Sequence, residues 1–148
     1  ASCLVGSEMC IRDRITIRAG SASTVAIINT STGLDLMEIS DLSCNGPSGT
    51  ACIRACNLSP DLGPFDVALE NRGNSYRTFT NVRFQEVTPF SSFASGWYSI
   101  YVFRTNAFNN NNAIAAASAA LKTGGSYTLY MFNGPSSTDG LRTLILSN

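Results

Sequence analysis

The sequence contains no histidine, and only 14% of its 148 residues are charged, against roughly 25% in an average soluble domain. Without imidazole, neither a Ser/His/Asp nor a Cys/His nucleophilic arrangement can be assembled within the chain, and a mixed Cys/His zinc site is excluded too. The ten positive charges are nine Arg and Lys122, scattered singly among ten acidic residues. The basic footprint of a nucleic-acid binder is missing, and so are basic arms and acidic tails. No apolar run approaches the ~20 residues of a membrane span. No signal peptide is visible at Ala1, so a secretory signal would have been removed or lie outside this sequence. No Asp-rich calcium loop and no phosphate-cradling glycine loop occurs; Gly20, Gly124 and Gly125 read as turn residues. No cofactor or metal is expected.

What the chain has instead is the uncharged polarity of Ser, Thr and Asn, which suits strands, turns and glycan attachment. Five cysteines stand at positions 3, 10, 44, 52 and 56. Cys52 and Cys56 form a CxxxC, but the second short-spaced pair of an all-Cys metal site is absent. Cys3, Cys10, Cys44, Cys52 and Cys56 are therefore disulfide candidates. Two sequons, Asn29-Thr30-Ser31 and Asn57-Leu58-Ser59, offer Asn29 and Asn57 for N-glycosylation. Cysteines, sequons and scarce lysine point together to an extracellular, secreted or surface-exposed protein. The connectivity stays open between 44–52, 44–56 and a link to Cys3 or Cys10. Cys52 and Cys56 share one face of a strand four residues apart, too far to bridge each other. An odd count leaves one thiol free or bridging between molecules.

Along the chain the apolar pattern has period two. A β pattern opens at Ile15 and Ile17, continues through 23–29 (STVAIIN), turns at 30–33 and resumes at 34–39 (LDLMEI). Residues 43–50 (SCNGPSGT) read as a linker. Strands follow at 51–57 and 65–69, with the turn 59–64 between them, then short strands or strand edges at 77–80 and 82–87. The strongest signal is 96–104 (GWYSIYVFR). There Trp97, Ser99, Tyr101 and Phe103 share one face, and Tyr98, Ile100 and Val102 the other. Residues 113–121 (AIAAASAAL) have helix-forming composition but are short, and are read as a strand of small residues after the loop 109–112. Strands at 126–132 and 141–146 close the sequence.

The chain also repeats itself. Residues 18–29 lie over residues 122–133: a basic residue, a turn glycine (Gly20, Gly124), an apolar strand and a terminal asparagine (Asn29, Asn133). After a gap of three, residues 33–40 lie over 140–147, so the period is about 105 residues, the size of one sandwich domain. On this reading residues 15–42 are the last strands of a preceding copy, or a donor hairpin, and 51–148 are a complete copy. Two or three strands cannot cover their own apolar face. Ile15, Ile17, Val25, Ile27 and Leu36 are accordingly assembly residues that need strands from elsewhere, from adjacent repeats or from copies of the chain itself.

Cys52-Ile53-Arg54-Ala55-Cys56-Asn57-Leu58-Ser59-Pro60-Asp61, followed by Phe65-Asp66-Val67-Ala68-Leu69, resembles the opening of the domain-of-unknown-function family numbered 4397. That family opens V-R-V-x-H-A-S-P-D and continues into an alternating strand containing Asp. Residues 84–90, 94–102 and 121–128 resemble its later F-G-x-V-T-x-Y, P-A-G-x-Y-x-V and L-x-A-G-x-x-Y-T elements. The resemblance covers about residues 51–148, and 15–42 in part. It departs at Asn57, where the family often has His, and at Cys52 and Cys56. It implies an immunoglobulin-like antiparallel β-sandwich of about seven strands on a microbial surface protein, often in tandem, with no known catalysis. Residues 4–14 (LVGSEMCIRDR) resemble a translated sequencing-adapter stretch found at the ends of assembled transcripts. Residues 1–14 are thus either non-native or a genuine N-terminal arm.

Little remains for catalysis. Asp61 and Asp66 are near in sequence, but one falls in a turn and the other within a strand. Trp97, Tyr98, Tyr101 and Phe103 are assigned to core packing, with a sugar-stacking platform as the alternative. The expected function is that of a non-enzymatic structural module joining end to end into a fibre, appendage or surface layer by strand pairing and disulfides. The competing expectation is a carbohydrate- or surface-binding adhesion module.

Overall fold

A computed structural model describes residues 15–16, 19–107, 112–134 and 140–148. The described residues are all-β: ten strands and no α-helix. The chain divides into two compact units, Ala1–Ser40 and Asp41–Asn148. Cys3, Cys10, Ile17 and the arm 1–14 lie outside the described residues.

In the first unit β1 (Ser23–Thr30) and β2 (Gly33–Ser40) form a two-stranded antiparallel sheet. Thr30 faces Gly33 across a two-residue loop, where the Thr30 hydroxyl donates to the Gly33 carbonyl at 2.8 Å. Val25 pairs with Glu38, Ile27 with Leu36 and Asn29 with Leu34. Directly opposed residues share a face, so Val25, Ile27, Asn29, Leu34 and Leu36 lie together. Ile28 and Ile39 lie on the other face and are buried. Ile15, expected to open this β pattern, is outside any strand.

The second unit is a β-sandwich. One sheet has the order β10 (Leu141–Ser147), β9 (Ser126–Asn133), β3 (Thr50–Asn57), β6 (Ser91–Ala94). The other has the order β5 (Asn74–Val82), β4 (Phe65–Asn71), β7 (Gly96–Arg104), β8 (Ala115–Leu121). The core is what the two inner faces contribute: Ala51, Ile53, Ala55, Leu129 and Met131 meet Phe65, Val67, Leu69, Phe79, Val82, Tyr98, Ile100, Val102 and Leu121. Not every pairing is antiparallel, since β3 and β9 run parallel.

The alanine-rich segment is a strand because of its neighbour. Ala119, Ala117 and Ala115 stand opposite Tyr98, Ile100 and Val102, so small residues fit beside bulky ones, and burial against β7 outweighs helix propensity. Two expectations are corrected. The strand at 77–80 is part of the longer β5, which ends at Val82, and 83–87 is not a strand, though Val87 makes an isolated bridge to Cys56. Gln85 has φ 60°, a left-handed conformation that breaks extension. A turn forms there, with Glu86 N–H donating to the Arg83 carbonyl at 3.0 Å.

Candidate functional site

The two units contain the same hairpin. Asn29 pairs with Leu34 in one and Asn133 with Leu141 in the other; at the far end Ser23 pairs with Ser40 and Tyr127 with Ser147. These are the residues that the sequence repeat superposes, so the repeat extends to strand register. The turn before each first strand repeats as well: Gly20 has φ 78° and Gly124 has φ 75°, a conformation that glycine takes without steric cost.

The surroundings differ. On β9 the inward face carries Leu129 and Met131, both fully buried, with Tyr127, Leu141 and Ile145 packed against the same core. The matching face of the first hairpin carries Val25 at 41% exposure, Ile27 at 70% and Leu34 at 62%, with Leu36 half-buried. Full burial of such a side chain is worth about 1.5–3 kcal/mol. Three of them left in water make this an uncovered apolar face among the described residues of the first unit.

In the second unit β9 is also held at its end. Asn57, the last residue of β3, is fully buried; its amide nitrogen donates to the carbonyls of Gly63 and Val82, both at 3.2 Å, and its oxygen accepts from Ser59 N–H at 2.9 Å. This fixes the turn 59–64. The turn presents the Ser59 hydroxyl, which donates to Asn133 Oδ1, and Asp61, which accepts from Asn133 Nδ2 at 2.9 Å. The strand-end asparagine thus clasps a Ser-Pro-Asp turn. Asn57 is set aside as a glycosylation candidate in the folded protein, because the nitrogen that would carry a glycan is buried and bonded twice. Asn29 is exposed.

Asp66 organises the opposite sheet. Its side chain is fully buried, pairs with Arg77 and accepts from Asn81 N–H at 2.8 Å and Asn106 N–H at 3.2 Å. Both asparagines are left-handed, with φ 56° and 67°. The carboxylate is used up in holding two bends, and Asp61 is engaged by Asn133. Among the described residues no three metal-ligating side chains gather.

Cys44 and Cys52 form a disulfide, with Cα atoms 6.0 Å apart, tying the linker to β3. Cys56 is a free, buried thiol, its pKa pushed up to about 12 by burial, with the Arg54 charge acting the other way. Arg54 is buried between them on the outer face, its Nε donating to Thr128 Oγ1 at 2.9 Å and its guanidinium 4.8 Å from the Phe90 ring centre.

The aromatic assignment needs one correction. Tyr98 and Phe103 are buried, but Trp97 is 65% exposed on the outer face of its sheet. Its cross-strand neighbour there is Ala120, and that of Tyr101 is Ala116, so both rings stand beside small side chains; Tyr101 itself is half-buried, with its ring 6.5 Å from that of Phe103.

Comparison with known families bears on the whole arrangement. Residues 5–68 match the family described as domain of unknown function (DUF4397). It is the family that the Ser-Pro-Asp turn and its flanking strands resemble. The match takes in the first hairpin, the linker, β3, the turn and the start of β4, less than half of the chain. The later motifs at 84–90, 94–102 and 121–128 fall outside it. No curated protein matches the chain. No helix among the described residues is long and apolar enough to cross a membrane.

Proposed function

We propose that this protein is an extracellular structural module of a fibre, appendage or surface layer, in which a β1–β2 hairpin completes the sandwich of the adjoining module. The observation that carries the reading is the exposure of Val25, Ile27 and Leu34 at the register where Leu129, Met131 and Leu141 meet a core. The joint would be strand pairing plus apolar burial. Low charge keeps repulsion between units small, and the Cys44–Cys52 bridge hardens the linker beside the joint. The disulfide suits an oxidising compartment, and an immunoglobulin-like topology of each assembled module belongs to the same proposal.

The test is a tandem chain in which a second copy of residues 41–121 is joined ahead of Arg18, so that Leu121 precedes Arg18 as it precedes Lys122 in the natural order. Two complete sandwiches should result, and the urea m-value summed over all transitions should rise to about twice that of the single chain. Ile27→Asp should abolish the added transition and leave the single chain unchanged. An m-value equal to that of the single chain would contradict the reading.

A second reading has its own observation. Trp97 and Tyr101 on the outer sheet face, beside Ser99, Ser118 and the alanines of β8, would suit an adhesion module that stacks sugar rings. Glycan-array binding lost in Trp97→Ala and retained in Ile27→Asp would favour it.

A further inference from the structure

We propose that Asn29 is a recognition residue for a Ser-x-Asp turn delivered by the preceding module of a tandem chain. The inference rests on the end-to-end reading and adds to it the identity of the strand and turn that occupy the open hairpin.

The complete module shows what that occupant must be. Beside β9 lies β3, parallel, with Cys52 opposite Ser126 and Asn57 opposite Met131. Shifted back by the repeat, this register places a β3-type strand parallel to β1 along residues 22–27. Among the described residues β1 has only β2 beside it in its sheet, so its other edge is where such a strand would pair. Two residues beyond that strand comes the Ser, and four beyond it the Asp, that clasp Asn133. Asn29 occupies the register of Asn133, is exposed, and makes no side-chain hydrogen bond among the described residues. The surface it borders is the counterpart of an interface already formed within this chain, between β9, β3 and the facing sheet. The occupant is therefore a module of this type whose own strand order ends at its β8 equivalent. It precedes the hairpin in the chain, as β3–β8 precede β9–β10 here.

Asn29 heads a sequon, which gives the proposal a second consequence. A glycan on Asn29 Nδ2 would take one of the donor's protons and place a bulky group on the seam. Glycosylation of Asn29 and closure of the joint would exclude one another.

The experiment is hydrogen exchange on the tandem chain, read on peptides from residues 19–40 and 122–148, each of which occurs once. The first hairpin should gain protection over the single chain. Asn29→Ala should lower that gain about fivefold, the effect of a hydrogen bond worth about 1 kcal/mol, with Asn29→Asp doing the same. Neither should alter the single chain, where β9–β10 protection reports that the sandwich is folded. If both Asn29 variants keep full protection while Ile27→Asp removes it, the recognition role is overturned and the end-to-end reading stands. If the hairpin stays unprotected in the tandem chain whatever stands at position 29, both fall.

Discussion

The β1–β2 and β9–β10 hairpins share register, turn glycine and terminal asparagine, yet one lies in a core and the other holds the same face in water. The contrast separates two things that a strand pattern encodes. Alternation and turn chemistry decide which residues pair and which share a face. Whether that face is buried depends on what is brought against it. Leu129 and Met131 have β3 and the facing sheet; Val25 and Ile27 have no such cover among the described residues.

The comparison can be broken first at its apolar centre. Met131→Ala should cost about 2–5 kcal/mol in urea unfolding of the sandwich, while Ile27→Ala should change it by less than about 0.5 kcal/mol. Equal losses would mean that the two hairpins are equally buried.

A second difference lies in the strand beside each hairpin. β9 rests on β3, which carries the buried Cys56 thiol. In the unfolded chain that thiol ionises near 8.5, in the folded one at about 12. The unfolded state then binds fewer protons above pH 8.5, so stability is full below that pH and falls as pH rises toward 12. The slope is up to about 1.4 kcal/mol per pH unit. Stability curves of Cys56→Ala measured between pH 8 and 10.5 should lack this contribution.

At the strand ends, Asn133→Ala should lower stability by about 1 kcal/mol by releasing the Ser59 and Asp61 contacts. Asn29→Ala should have no effect on the single chain. Smallest of all, Trp97→Ala should stay within about 0.5 kcal/mol in thermal unfolding, since the ring is mostly in water. A larger loss would show that the outer sheet face is covered in solution.

Much of this architecture is legible in the sequence. Period-two alternation places strands at 23–29, 34–39, 51–57, 65–69, 96–104, 126–132 and 141–146, and the repeat implies a shared hairpin. It also separated the faces of 96–104 correctly. Alternation alone does not distinguish a covered outer face from a wet one, so it places Trp97 in the core, whereas the structure leaves it exposed. β6 is four residues long, too short for alternation to register, and is a strand only because Ser91 to Ala94 pair with Ile53 to Thr50. Residues 82–87 looked extended because nothing in composition marks Gln85 as left-handed. The sequon at Asn57 has a second physical reading. The same side chain that can accept a glycan can cap a turn through its own amide, and only burial tells the two apart.

The most direct measurement is the reactivity of single cysteines placed on the two matching faces. Ile27→Cys in the full chain should react with a small alkylating reagent at close to the rate of an unstructured thiol, and Met131→Cys only through unfolding. Adding residues 41–121 ahead of Arg18 should then slow Ile27→Cys by orders of magnitude. A thiol at 27 already protected in the single chain, or still fully reactive in the tandem one, would contradict the account.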